Sequence, residues 1–229
     1  MKFILFLIIS ISLSKAQEYQ LTCFGIHIGD INQTISEDGR IEYDIQSRGI
    51  ADLIWPTSNS YYTSFDTKTF SLKSWGKKVK QGLYKSSLSA EVDSINRVLK
   101  YGEEAVQTVD SIYTIFAMLA MVQVFPFNIL DTKWFSYEHQ GKIGEARFLW
   151  SDSSMVWTGK DSIMCDHFRI DIKIFDSTFS IKENKDYFMK NILDETYVKE
   201  IWVKRAQKKE IVKASVKNNW LTFIARNNQ

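Results

Sequence analysis

The chain has 229 residues, 45% of them hydrophobic, and its 29 basic residues nearly balance 27 acidic ones. That size and apolar content support one domain with a substantial core, and the charge balance gives no footing for a nucleic-acid binder. With only Pro56 and Pro126 as prolines and no Pro- or Gly-rich linker, nothing divides the chain.

Met1-Lys2 and the apolar run from Phe3 to Ile11 read as a signal peptide, too short to span a bilayer alone. Ser14 and Ala16 put small residues at the −3 and −1 positions, so cleavage is expected after Ala16. The expectation is a single β-rich domain over 17–229, periplasmic or secreted. Loss of Lys2 and Lys15 brings the 29 basic residues level with the 27 acidic ones, so the mature chain is neutral. An oxidising compartment makes Cys23 and Cys165 candidates for a disulfide; two buried thiols on separate strands are the other reading.

From Glu18 to Ile50 the pattern is hairpin. Gly25 and Gly29 suggest a bulge or close backbone approach, and Asp38-Gly39 marks a tight turn. Ser60 to Lys100 reads as an antiparallel meander. Then Asp110 to Leu130 reads as the one long helix, with Asp110 as N-cap, Glu103 and Glu104 near its positive end and Pro126 at its close. One face carries Val109, Ile112, Phe116, Leu119 and Ala120, which a sheet can anchor. The opposite face starts polar and continues as Met118, Met121 and Phe125, so the second half needs cover all round. A bilayer-spanning role is opposed by Thr114, Gln123, Pro126 and Asn128, and by acids at its flank.

Strands resume at Trp134. Residues 163–175 alternate most clearly, with Phe168, Ile170, Ile172 and Ile174 opposite His167, Arg169, Asp171 and Lys173. A short helical turn is expected near Tyr187, Phe188 and Ile192. The closing strands 197–203, 210–217 and 220–225 are joined at the end by a two-residue Asn218-Asn219 turn. Their lysines read as guards of exposed strand edges. Most of the seven tryptophans are expected in the core.

The sum is a mainly β fold: a curved antiparallel sheet, half-barrel or barrel-like, of about a dozen strands wrapping one main helix. The order of motifs resembles the bacterial exported proteins of domain-of-unknown-function family 3108. The resemblance is carried by Phe24-Gly25-Ile26-His27-Ile28-Gly29, by Tyr62-Thr63-Ser64-Phe65-Asp66, by Asp110-Ser111-Ile112-Tyr113, and by Thr158-Gly159 followed by Cys165-Asp166-His167-Phe168. It implies a β-rich envelope protein without an assigned reaction, and by looser analogy a sheet wrapped on a helix as in lipid carriers.

No Gly-x-Ser-x-Gly, His-Glu-x-x-His or phosphate-binding glycine loop is present. Cys165 and His167 share a strand face and can offer only part of a metal set. His139 reads as a solvated turn residue. No cofactor or metal is expected. The leading expectation is a non-enzymatic protein that holds an apolar ligand such as a lipid acyl chain, with Tyr113, Met118, Met121, Phe125 and His27 as candidate binding residues. The rivals are an assembly protein that meets an envelope partner through the methionine face, and a hydrolase with carboxylates or His27 in a cleft.

Overall fold

The structure, a computed structural model, describes residues 15–175 and 186–228. Most of the expected signal peptide lies outside the described residues. Lys15 and Ala16 are described; they open the first strand, opposite Ile35 and Thr34.

The first half of the chain forms a meander of β1 (Lys15–Cys23), β2 (Ile26–Ser36), β3 (Arg40–Ser47), β4 (Thr57–Phe65), β5 (Leu72–Gln81), β6 (Tyr84–Asp93), β7 (Val98–Tyr101) and β8 (Glu104–Gln107). A short helix, α1 (Gly49–Ile54), interrupts it after β3. Next come α2 (Ile115–Val122) and α3 (Phe127–Leu130). The second half is β9 (Trp134–His139), β10 (Lys142–Trp157), β11 (Ser162–Ile174), α4 (Tyr187–Leu193), β12 (Val198–Lys204), β13 (Ile211–Lys217) and β14 (Thr222–Asn227). Pairing of β1 with β14 fuses the halves into one 14-stranded antiparallel sheet, with β8 and β9 at its ends. The mainly β, curved-sheet expectation is therefore met, with more strands than anticipated.

The sheet does not close by pairing its end strands. The segment before α2 bridges the seam instead. Leu72 N–H donates to the Ile112 carbonyl (2.8 Å), Tyr113 N–H to Ser136 (2.9 Å), and Glu138 N–H to Tyr113 (2.9 Å). The chain then turns inward, so α2 runs inside the curve. Ala117, Met118 and Val122 are fully buried there, in one cluster with Ile41, Tyr43, Tyr137, Phe148 and Phe168. The strand alternation is visible in burial: Phe168, Ile170 and Ile172 face the core while Arg169 and Lys173 face water.

Several expectations are corrected. The long helix over 110–130 is two short ones. Asp110 is not its cap; it is exposed and pairs with Arg97 (3.0 Å). Thr114 caps α2, accepting from the Ala117 amide (3.2 Å), because Ile112 and Tyr113 are committed to the extended seam bridge. Pro126 stands before α3 with extended backbone, as N-cap of a new helix. Glu104 lies in β8, away from any helix N-terminus. Of the seven tryptophans only Trp75 is buried; Trp134 and Trp202 lie under the cations of Arg147 and Lys213 instead, and Trp55, Trp157 and Trp220 are exposed. Gly25 is part of a two-residue hairpin turn, with Phe24 and Gly25 both at positive φ (51° and 79°). Asn218 instead opens a four-residue connection, its side chain accepting from the Trp220 and Leu221 amides. The lysine-rich closing strands sit in the middle of the sheet and guard no edge. Cys23 and Cys165 are both free thiols, half-buried in β1 and buried in β11 respectively, so the bridge does not form.

Candidate ligand cavity

A cavity of about 510 Å³ lies between α2 and the curved sheet. That falls within the range of about 300–1,000 Å³ usual for small-molecule sites. Ile115, Phe116 and Leu119 form its helical wall. Ile31, Tyr43 and Ile45 face them from β2 and β3, and Ile201, Ile211 and Phe223 from β12 to β14. Alternation places these side chains inward on every strand, so the lining is apolar by the same rule that builds the core.

The cavity reaches the surface beside α1, Trp55 and Tyr187. Trp55 and Tyr187 meet edge to face, with centroids 5.9 Å apart. Phe188 and Ile192 of α4 complete the wall there. Lys199 is the one lysine in the lining, and it is buried. Its Nζ donates to the carbonyls of Asp194 (2.7 Å) and Tyr197 (2.9 Å) and forms no ion pair among the described residues. An ammonium has three donors, so one is left over. Burial pushes Lys199 below the usual lysine range, opposed by the field of Asp194, Asp171 and Glu195.

Beside the cavity a second polar group is sealed. Lys77 and Asp186 pair at 3.1 Å with side chains 1% and 2% exposed. Tyr61 donates to Asp186 (3.1 Å), as do Gln81 (3.4 Å) and the Met189 amide (3.1 Å). Lysine, carboxylate and phenol together resemble catalytic equipment. The adjoining void is about 20 Å³, room for about one water and no substrate. The cluster's evident work is to seat the N-terminus of α4.

None of the candidate residues from the sequence lines the cavity. Met118 and Met121 are buried in the core on the other side of α2, which leaves a protein partner no methionine face to meet. Phe125 packs edge-on to Phe70 (5.4 Å), and Tyr113 belongs to the seam, its ring against Phe135 (5.3 Å). His27 hydrogen-bonds Asp30 (2.8 Å) and the Gly29 carbonyl (3.0 Å) on the strand surface. His139 is half-buried in β9 and stacked on Trp75, not in an open turn; burial, then Lys77 and Lys142, hold it down to about 3. Cys165 joins Val156 and Val212 in a satellite cluster, and among the described residues no three metal-ligating side chains stand together. Sequence reading missed Phe116 and Leu119, which it placed against the sheet. It also missed Lys199, although alternation with Ile201 and Val203 marks that lysine as inward-facing.

No family model matches the chain, and no curated protein matches it. Among solved structures, it is similar to a β-barrel-like protein of domain-of-unknown-function family 1849 from Brucella abortus, with a TM-score of 0.58 at 9% identity. The match covers 93% of this chain and 94% of that one. At that identity the likeness shows the fold alone: a β-barrel-like architecture shared with a domain of unknown function.

Proposed function

We propose that the protein is an exported binding protein for a ligand with an acyl chain and one anionic end. The observation that carries this is the apolar cavity of about 510 Å³ between α2 and the sheet. Its apolar lining suits a chain of methylenes, each worth about 0.8 kcal/mol when buried. Lys199 in its lining suits a carboxylate or phosphate, since a buried lysine with no ion pair among the described residues is relieved by an anion. The basic, apolar N-terminal segment supports export, and the motif resemblance to family 3108 supports an envelope setting.

The test is equilibrium titration with cis-parinaric acid, whose fluorescence rises in an apolar site. Saturable one-site binding is expected. Leu119→Trp, which fills the cavity, is expected to weaken it at least about tenfold, the effect of losing two buried methylenes. Lys199→Met is expected to weaken the acid and leave its methyl ester little changed. Absence of saturable binding, with no lipid extractable from purified protein, would overturn the reading.

A further inference from the structure

We propose that the end of the barrel around the cavity mouth docks onto an anionic lipid surface; this rests on the acyl-ligand reading, because an acyl chain has to pass between bilayer and cavity. Strand directions place every connection from an odd-numbered to an even-numbered strand at that one end, and four of them form the crown: β1–β2, the α1 segment between β3 and β4, β5–β6 and β13–β14. Each carries a large apolar side chain on its tip. Phe24 is 70% exposed, Leu53 86%, Trp220 83%, and Leu83 is fully exposed. The six-residue α1 has no buried residue at all, and its Ile50, Leu53 and Ile54 all face out. Apolar residues on separate tips make a crown, which suits insertion to the depth of lipid headgroups better than it suits a flat protein face.

Charge points to the same partner. Lys80 and Lys85 are direct cross-strand neighbours just below Leu83, with Lys78 beside them, and all three are exposed. Like charges opposed across a ladder destabilise it. The neighbouring β4 positions are Ser58 and Ser60, so no acid relieves them there, and none of the three forms an ion pair among the described residues. Among the described residues, the acids beside these four tips are engaged: Asp30 with Arg48 and His27, Asp52 with the Ser47 hydroxyl, Glu195 with the Ile174 amide. The crown is also continuous with the cavity, since Ala51, Ile54 and Trp55 line the mouth from the same segment.

Co-sedimentation of the full chain with vesicles tests this. Binding is expected to phosphatidylcholine–phosphatidylglycerol vesicles and to be much weaker to phosphatidylcholine alone. Lys80→Glu with Lys85→Glu is expected to lower it by roughly fivefold or more per lysine. The triple variant Leu53→Ser, Leu83→Ser, Trp220→Ser is expected to lower it at least tenfold. None of these five positions lines the cavity, so parinaric acid binding in solution stays at the wild-type value, which also reports that the variants fold. Wild-type protein that takes parinaric acid but ignores both vesicles would overturn the docking and leave the cavity reading intact. Vesicle binding without parinaric acid binding would sink the cavity reading instead. A dimer in solution that the triple variant dissolves, with no vesicle binding, would make the crown a protein interface and overturn the proposal.

Discussion

Glu138 is buried near the end of β9, where the Tyr101 hydroxyl and the Gly141 amide both donate to one of its oxygens. The other oxygen has no partner among the described residues. Burial raises its pKa from 4.5 to about 7, against the pull of those two donors. The unfolded chain releases this proton near 4.5 and the folded one near 7, so the carboxyl's contribution to stability falls as pH rises through that window. Glu138→Gln removes this titration. Its stability relative to wild type is expected to improve between pH 4.5 and 7, by about 3 kcal/mol in total. Urea unfolding at a series of pH values measures it; a constant difference would mean Glu138 ionises at its ordinary pKa. The adjacent His139 works in the opposite sense. Its pKa is held below the unfolded value, so it withdraws stability as pH falls below 6.5.

At the scale of elements, α4 depends on Asp186, which caps it and neutralises Lys77. Removing one member of a buried ion pair strands the other charge, which costs about 3–5 kcal/mol. Asp186→Ala is expected to destabilise by that order and to loosen the cavity wall formed by Phe188 and Ile192. Lys77→Met in the same chain is expected to restore the part of the loss due to the stranded charge, while the helix cap and the acceptor for Tyr61 and Gln81 stay lost. Thermal melts of the two single variants and the double variant decide; additive losses would show that Lys77 and Asp186 act independently. The helical turn around Tyr187 was legible from its own residues, and so were most strands, because a two-residue period is a local property. The start of α2 was not. By residue type Asp110 is the better cap, and the role falls to Thr114 because residues far away on β5 and β9 claim Ile112 and Tyr113 for the seam. Which face of α2 meets the cavity was hidden for the same reason. Met118 and Phe116 are both apolar, and the curvature of the whole sheet decides which packs tightly and which faces the void.

For the whole molecule, the question is what holds a 14-stranded sheet curved when its end strands do not pair. The answer lies in the crossover. The chain leaves β8 at one end of the sheet, bridges to β9 at the other through Ile112 and Tyr113, and sends α2 inward before β9 begins. One segment thus clamps the seam and fills the interior, and the cavity is the space α2 leaves on its far side. Side chains support the clamp, with Tyr101 on Glu138 and Trp75 stacked on His139. The same geometry explains why most tryptophans stay outside. The inner wall is filled by α2, so wide rings find room on the outer wall under cations or at the rim. If the clamp carries the curvature, the amides of Leu72, Tyr113 and Glu138 exchange with solvent as slowly as amides in the middle of the sheet. Tyr113→Pro deletes the donor to Ser136 and is expected to cost about 1–3 kcal/mol. Its further signature is regional. Exchange is expected to quicken at Leu72 and along β9, while β1 and β14, on the opposite side of the barrel, keep wild-type protection. Uniform quickening across all strands would show that the seam has no separate opening and that the barrel unfolds as one unit.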